Sequence, residues 1–222
     1  MLPRGKQTIS QDDIEAVLEV LKSDQLTNGP KVDEFESEFA LATGSDFAVA
    51  VNSGTAALHT AMFGAGVGCH VGDEVIMPGL SFIASANAAI YLGAKPVFAD
   101  VDPDTLLLDP QDVRNKITPR TKAIVSMDYG GQPCDYAALR AIADEHNLVL
   151  IADACHSLGA SVGAGPTAKP VGSLADFNCF SLHTNQQITS GEGGMVTTNR
   201  ADAATKMRGC LLYTSPSPRD RG

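Results

Sequence analysis

The stretch Leu148-Val149-Leu150-Ile151-Ala152-Asp153 consists of five apolar residues followed by a carboxylate. It lacks the alternation of polar and apolar residues that a half-buried strand has. Near-continuous apolar strands are typical of parallel sheets that helices cover on both faces. The stretch therefore predicts a buried strand inside an α/β fold, with Asp153 at its carboxyl end.

Six further apolar strands are predicted on either side of this one, at 47–51, 74–77, 96–101, 123–127, 176–181 and 194–198. The segments between them are predicted as helices, at 55–63, 81–92, 110–116 and 136–146. Strands that alternate with helices indicate a mostly parallel sheet between two helical layers. We therefore predict a three-layer α/β/α fold with a mostly parallel seven-stranded sheet.

The two ends of the chain depart from this alternation. Residues 10–42 predict an N-terminal helical segment, whose first helix carries Ser10 as its N-cap and has one apolar face formed by Ile14, Val17, Leu18 and Leu21. The last residues, 210–222, are polar and rich in proline, which predicts a disordered tail, with a non-native tail as the alternative. We predict one α/β domain over 1–209.

Composition excludes several classes of function. The formal net charge of −10 argues against a nucleic-acid partner, because neutralising phosphates requires clustered Lys and Arg. No apolar run is long enough to cross a membrane, and no signal peptide is visible, so we expect a cytoplasmic protein. The five cysteines form no CxxC pair, and His and Glu form no metal-spaced cluster, so we predict reduced thiols and no metal site.

Ligands of parallel sheets bind beyond the carboxyl ends of the strands. Ser53-Gly54-Thr55 lies at a strand-to-helix junction, where Gly54 allows close approach of the backbone and the helix N-terminus favours an anion. The alternative is a plain capped helix start, which the motif taken by itself favours. Asp153 ends a buried strand, where a carboxylate requires a cation or hydrogen-bond donors. Capping of the following helix is the alternative for Asp153.

Two histidines, His156 and His183, each follow a predicted strand. A lone histidine in such a place is usually a satisfied hydrogen-bonding group, so neither is assigned a catalytic role from its position alone. Cys155 precedes His156 directly, but adjacency in sequence does not orient a thiol toward an imidazole. A cysteine nucleophile is therefore not predicted.

The stretch Phe180-Ser181-Leu182-His183-Thr184-Asn185-Gln186-Gln187-Ile188-Thr189-Ser190-Gly191-Glu192-Gly193-Gly194 is part of a series of motifs that occur in a recognisable order. The other members of the series are Gly5-Lys6-Gln7, Leu26-Thr27-Asn28-Gly29-Pro30, Ser53-Gly54-Thr55-Ala56-Ala57-Leu58-His59, Ser81-Phe82-Ile83-Ala84-Ser85-Ala86-Asn87, Gly93-Ala94-Lys95-Pro96-Val97-Phe98 and Gly131-Gln132-Pro133-Cys134-Asp135. Over roughly residues 5–207 the chain resembles sugar-nucleotide aminotransferases of the fold-type I, pyridoxal-phosphate-dependent superfamily. The nearest branch is similar to the enzymes that aminate a UDP-linked 4-keto-6-deoxy-N-acetyl-hexosamine on the way to pseudaminic acid.

The resemblance implies a role for each residue of the predicted site. Gly54, Thr55 and Ser181 would hold the phosphate of pyridoxal 5′-phosphate (PLP), and Phe82 would stack on the pyridine ring. Asp153 would pair with the pyridinium nitrogen, so that the ring can act as an electron sink. His156 would lie near the 3-hydroxyl of the cofactor.

The resemblance fails at one catalytic position. Members of the family carry a lysine three residues after the histidine that corresponds to His183, and this chain has Gln186 there. That lysine bonds covalently to the cofactor and then moves a proton between substrate and cofactor. The nitrogen of a carboxamide has its lone pair delocalised into the carbonyl, so Gln186 can do neither. The resemblance also implies a C-terminal small domain, which we do not expect in this chain.

Two functions follow as expectations. In the first, the chain is the large domain of an enzyme that transfers an amino group from an amino acid such as glutamate to a nucleotide sugar, with little or no activity because of Gln186. In the second, it is a non-catalytic homologue that binds PLP or a nucleotide sugar, or that dimerises with an active partner. The resemblance further implies a homodimer, and Gln186 implies that the cofactor, if bound, is held without a covalent bond.

Overall fold

The structure is a computed structural model that describes residues 6–26 and 29–211. The N-terminal segment begins with α1 (Gln11–Lys22), in which the Ser10 hydroxyl accepts from the Asp13 N–H while the Asp13 carboxylate accepts from the Ser10 N–H. This reciprocal capping box explains where the helix starts. α2 (Pro30–Thr43) starts with a proline in its first turn and ends at Gly44, which adopts a left-handed conformation.

Seven strands form one sheet. In chain order its strands are β1 (Phe47–Val51), β2 (Glu74–Pro78), β3 (Lys95–Ala99), β4 (Thr121–Met127), β5 (Val149–Asp153), β8 (Phe177–Ser181) and β9 (Gly194–Thr198). A separate two-stranded hairpin, β6 (Ser161–Val162) and β7 (Lys169–Pro170), lies between β5 and β8 in the chain. The sheet order is β1-β9-β8-β5-β4-β2-β3. Only β9 runs antiparallel to its neighbours. The predicted seven-stranded, mostly parallel sheet is confirmed.

The helices cover both faces of this sheet. They are α3 (Gly54–Gly64), α4 (Ile83–Tyr91), α5 (Pro110–Lys116), α6 (Tyr136–His146) and α7 (Ala201–Leu211), with 3₁₀ turns at Tyr129–Gly131 and Gly165–Thr167. Because side chains alternate along a strand, β8 supplies Phe180 to one core layer and Phe177 to the other. The first layer packs against α2 and α6 and the second against α3 and α7, which completes the predicted three-layer α/β/α fold.

Three details differ from the sequence-based predictions or lie outside them. The apolar face of α1 is exposed, since none of its residues is buried. Cys210 and Leu211 lie in the last turn of α7, although the sequence predicts them to be part of a disordered tail. The rest of that tail, 212–222, is outside the described residues, as are Thr27 and Asn28 of the segment between α1 and α2. No helix in the described ranges is both long and apolar enough to cross a bilayer.

Candidate functional site

A cavity of about 690 Å³ opens at the carboxyl edge of the sheet. It lies where β1, β5 and β8 end, in agreement with the general position of ligand sites in such sheets. All seven residues of the predicted site line it, namely Gly54, Thr55, Phe82, Asp153, His156, Ser181 and Gln186. The fold therefore brings together residues that are up to 132 positions apart in the chain.

The turn from β1 into α3 is packed without spare space. The hydroxyl of Ser53 caps α3 by accepting from the Ala56 N–H at 3.1 Å. A Cβ on Gly54 would lie 2.8 Å from Cβ of Ser181, and a Cβ on Gly194 would lie 2.3 Å from the Ser53 carbonyl oxygen. Both glycines are therefore required by close approach, and the glycine of β9 clears the space in which the turn sits.

This turn has the chemistry of an anion site. The amides in the first turn of a helix have no partner within the helix, and the helix dipole places partial positive charge there. The hydroxyl of Ser53 satisfies the N–H of Ala56, whereas the N–H groups of Gly54 and Thr55 have no partner among the described residues. Both of these residues line the cavity, so their N–H groups are available to a ligand there. The hydroxyl groups of Thr55 and Ser181 add two further donors at the same end. These groups suit a phosphate.

Asp153 is buried, with 2% of its surface exposed, at the end of β5. Its carboxylate accepts from the Ser85 hydroxyl at 3.0 Å and from the Cys155 N–H at 3.3 Å. Burial raises the pKa of Asp153, and these donors offset the rise only in part. Within the described ranges no Lys or Arg forms an ion pair with it. A buried carboxylate at a cavity with no cationic partner suits a ligand that brings its own protonated nitrogen.

An aromatic and a histidine flank this carboxylate. Phe82 is the N-cap residue of α4, is 65% exposed and lines the cavity, so its ring is accessible for stacking on a planar ligand. His156 lies after β5, with its ring centroid 6.4 Å from that of Tyr129. The side chain of Gln187 donates to the His156 carbonyl and thereby ties residues 183–192 to this side of the cavity.

Residues 183–192, which we call the glutamine loop, form the remaining wall. Gln186 lines the cavity and is held by a turn in which its N–H donates to the His183 carbonyl at 2.9 Å. Nδ1 of His183 accepts from the Asn185 N–H at 3.3 Å, and Nε2 lies 3.7 Å from a carboxylate oxygen of Glu192. His183 and Glu192 both line the cavity as well.

Three features of the site were not predicted from the sequence. Ser85 lies within a quoted motif, but only the fold brings it to Asp153. Glu192 lies between Gly191 and Gly193, and nothing in this glycine-rich run indicates that its carboxylate lines the cavity. Asp128 directly follows β4 and is a polar residue at a strand end, a signal that the analysis applied to other strands. It accepts from Tyr136, Ser157 and the Cys134 N–H and so supports the segment next to His156.

The described residues contain no group of three or more His, Cys, Asp or Glu side chains placed to hold a metal ion. The donors at the cavity instead suit an organic anion with a basic ring. Residues 7–220 match the model of the DegT/DnrJ/EryC1/StrS aminotransferase family. The chain belongs to this family.

Individual relatives agree with this assignment. The chain is 43% identical over 212 residues to the spore coat polysaccharide biosynthesis protein SpsC of Bacillus subtilis, covering 96% of this chain and 53% of SpsC. Crystallised DesI, solved in the presence of its TDP-sugar product, is 40% identical with a TM-score of 0.81, covering 92% of this chain and 52% of DesI. Helicobacter pylori PseC, an aminotransferase of pseudaminic acid biosynthesis, is 33% identical with a TM-score of 0.86, covering 96% and 56%.

The chain thus spans about half the length of these relatives. Aminotransferases of the family use PLP, and Spr1654 of Streptococcus pneumoniae, 30% identical with a TM-score of 0.86, has been solved in its PLP form and in its pyridoxamine phosphate (PMP) form. The donor set at Gly54, Thr55 and Ser181 fits the phosphate of this cofactor. The buried carboxylate of Asp153, which has hydrogen-bond donors but no Lys or Arg partner among the described residues, fits its ring nitrogen.

Proposed function

We propose that this chain is the large domain of a PLP-dependent enzyme that transfers an amino group to a nucleotide-linked sugar, and that Gln186 leaves it with little or no turnover. One observation carries the proposal: a single cavity holds the anion-binding turn, the buried carboxylate of Asp153 and the accessible ring of Phe82. Of these, Asp153 is the most informative, because burial without a cation is costly unless a ligand compensates it.

The residues of the cavity would share the work as follows. Gly54, Thr55 and Ser181 bind the phosphate through amide and hydroxyl donors. Asp153 keeps the ring nitrogen protonated, and the bound ring then supplies an electron sink. Phe82 orients the ring by stacking, while His156 lies on the side of the ring hydroxyl.

Gln186 limits what this cavity can do. A carboxamide neither bonds covalently to the cofactor nor carries a proton between two carbons at neutral pH. The nearest lysines along the chain, Lys169 and Lys206, lie elsewhere, on β7 and on α7. The ammonium of Lys206 sits 4.9 Å from the ring centroid of Phe63. We therefore propose that the cofactor binds without a covalent bond to the protein.

The substrate class is part of the proposal. We take it to be a nucleotide-linked 4-keto-6-deoxy sugar, with glutamate as the amino donor and the pseudaminic acid branch as the nearest one. DesI was solved in the presence of its TDP-sugar product, and PseC is an aminotransferase of pseudaminic acid biosynthesis, which supports a sugar substrate in the proposal. The cytoplasmic location stays a prediction of the sequence.

A turnover assay with a UDP-linked 4-keto sugar, glutamate and PLP tests the first half of the proposal. We expect rates at the level of the protein-free control. The Gln186→Lys variant, treated with PLP and then borohydride, should gain a stable adduct at position 186 that peptide mass spectrometry locates. Robust turnover by the unaltered chain would refute the proposed impairment, and an adduct that forms equally in both proteins would refute the role of position 186.

A second candidate function is a non-catalytic homologue that binds PLP or a nucleotide sugar and pairs with another chain. It is favoured by a site that is complete except at position 186. The exposed Ile90, Tyr91 and Phe98, on α4 and the edge strand β3, offer an apolar surface for a second copy. Light scattering after size exclusion should give twice the monomer mass. A monomer at micromolar concentration would remove the homodimer from the proposal.

A further inference from the structure

The cavity has an unusual balance of charge for a site that would hold a phosphate ester. Two carboxylates line it, Asp153 and Glu192, whereas no lysine or arginine does so among the described residues. The anion must therefore be bound by amides and hydroxyls at one end, while the other end carries negative charge. A ligand with its own positive charge at that other end would fit this pattern better than one without it.

Glu192 is available to meet such a charge. Within the described part of the chain it forms no ion pair with lysine or arginine, and the one basic side chain within 4.0 Å of its carboxylate is His183. Because Nδ1 of His183 accepts from the Asn185 N–H, Nε2 carries the ring proton and points toward Glu192. The hydroxyl of Ser190 donates to the Glu192 carbonyl at 2.8 Å, which fixes the backbone that presents this carboxylate.

Gln186 belongs to the glutamine loop, as Glu192 does, and both line the cavity. The side chain of Gln186 affects which form of the cofactor binds more tightly. The aldehyde form gains most from a protein amine with which it can bond, and position 186 has none. The amine form needs only acceptors for its N–H groups. Its primary amine is protonated at neutral pH, as alkyl amines are. The amide oxygen of Gln186 and the carboxylate of Glu192 are both acceptors.

We infer that this cavity selects the amine form of the cofactor, pyridoxamine 5′-phosphate, over the aldehyde form, with Gln186 and Glu192 receiving the ammonium group. The inference rests on the proposed cofactor site at Gly54, Thr55 and Asp153, and it specifies the ligand of that site. Gln186 alone does not discriminate, since its amide can also donate to an aldehyde oxygen. Glu192 favours the amine form, because an ionised carboxylate accepts hydrogen bonds and donates none.

The size of the preference follows from the exposure of Glu192. A hydrogen bond to a charged group can change affinity by roughly tenfold to a hundredfold. The side chain of Glu192 is 70% exposed, so solvent and salt screen its charge. We therefore expect a preference of about tenfold, at the lower end of that range.

Isothermal titration of the cofactor-free chain with three ligands tests the inference. The ligands are PMP, PLP and pyridoxine 5′-phosphate, which has the same ring and phosphate but a neutral hydroxyl in place of the amine. We expect PMP to bind about tenfold more tightly than either of the others, and the gap to narrow at high salt, because screening weakens exposed charges. PLP or pyridoxine phosphate binding as tightly as PMP would overturn the inference while leaving the cofactor site standing.

Two variants separate the residues. Glu192→Gln removes the charge at an exposed position and should bring PMP close to pyridoxine phosphate, with the affinity for the latter unchanged. Gln186→Lys should reverse the preference, since PLP then binds covalently. If Glu192→Gln leaves the PMP preference intact, Glu192 is not the selective group and the inference fails. If none of the three ligands binds the unaltered chain, the proposed cofactor site fails, and the inference fails with it.

Discussion

Two regions of the cavity differ in how firmly the fold holds them. One is the strand half, formed by Ser53, Gly54, Asp153 and Ser181, and the other is the glutamine loop, residues 183–192. The strand half is held by sheet hydrogen bonds and by contacts that allow no added carbon atom at Gly54 or Gly194. The glutamine loop is half-exposed and is held by short-range turns and by one side-chain hydrogen bond, from Gln187 to the His156 carbonyl. A substitution of a binding group in the core therefore changes stability as well as binding, whereas a substitution on such a loop can leave stability almost unchanged.

This contrast explains how Gln186 can stand in an otherwise intact site. If position 186 carries little of the folding free energy, then a substitution there removes chemistry and leaves the fold in place. Substitutions in the strand half should instead change stability, in either direction, as well as ligand binding. Four substitutions test this contrast.

The largest effect is expected for Gly194→Ala. The new Cβ would lie 2.3 Å from a backbone oxygen of Ser53, and no rotamer change can relieve that contact. We expect the free energy of unfolding to fall by about 3 kcal/mol or more. Gly209→Ala is the matched control, because a Cβ there meets nothing within 4 Å and lies inside α7. Chemical denaturation should show the control to be more stable than the unaltered chain by about 0.5–1 kcal/mol. Equal effects of the two substitutions would contradict the close packing of the strand half.

Asp128→Ala should come next. The buried carboxylate accepts from the hydroxyls of Tyr136 and Ser157, and burial raises its pKa. Removal leaves those donors without a partner, so we expect a loss of about 2 kcal/mol in the free energy of unfolding. Thermal and urea unfolding would measure it. A variant as stable as the parent would show that the network contributes nothing to this side of the cavity.

Asp153→Asn should have a smaller effect and the opposite sign. Burial raises the folded-state pKa above its ordinary 3.8, so between 3.8 and the raised pKa the folded chain binds more protons than the unfolded chain. Stability therefore falls as pH rises through that window. At neutral pH the variant should be more stable than the parent by about 0.5–2 kcal/mol. The decrease in its free energy of unfolding with rising pH should be smaller than in the parent. It should also bind PLP and PMP more weakly. The remaining decrease comes from Asp128, because burial raises its pKa as well. Unfolding curves from pH 4 to 8 would decide, and an unchanged pH profile would count against the prediction.

The smallest effect is expected for Gln186→Ala. The side chain of Gln186 is half-buried and makes no hydrogen bond to another described residue. We expect the free energy of unfolding to change by less than about 0.5 kcal/mol. Denaturation under the conditions used for Gly194→Ala provides the comparison. A loss as large as that of Gly194→Ala would show that the loop is part of the folding core.

Much of the fold could be predicted because its signals are local. The apolar runs located all seven strands of the sheet to within a few residues, and Ser10 marked the start of α1. Periodicity also revealed the apolar face of α1, but not that it would be exposed, since a pattern identifies a face and not its partner. α7 was missed because its interior Gly209 weakens the helical pattern and the tail follows directly.

For the site, the amino-acid sequence by itself determined the residue types, their motif order and the glutamine at position 186. The tertiary structure alone decided that Ser85 donates to Asp153 across 68 positions, that Gly194 clears space for the turn at Ser53, and that Glu192 joins the cavity without a lysine or arginine beside it. The physical reason is that periodicity and capping act over a few residues. Contacts across the sheet depend on strand order, and one pattern of strands and helices is compatible with many orders.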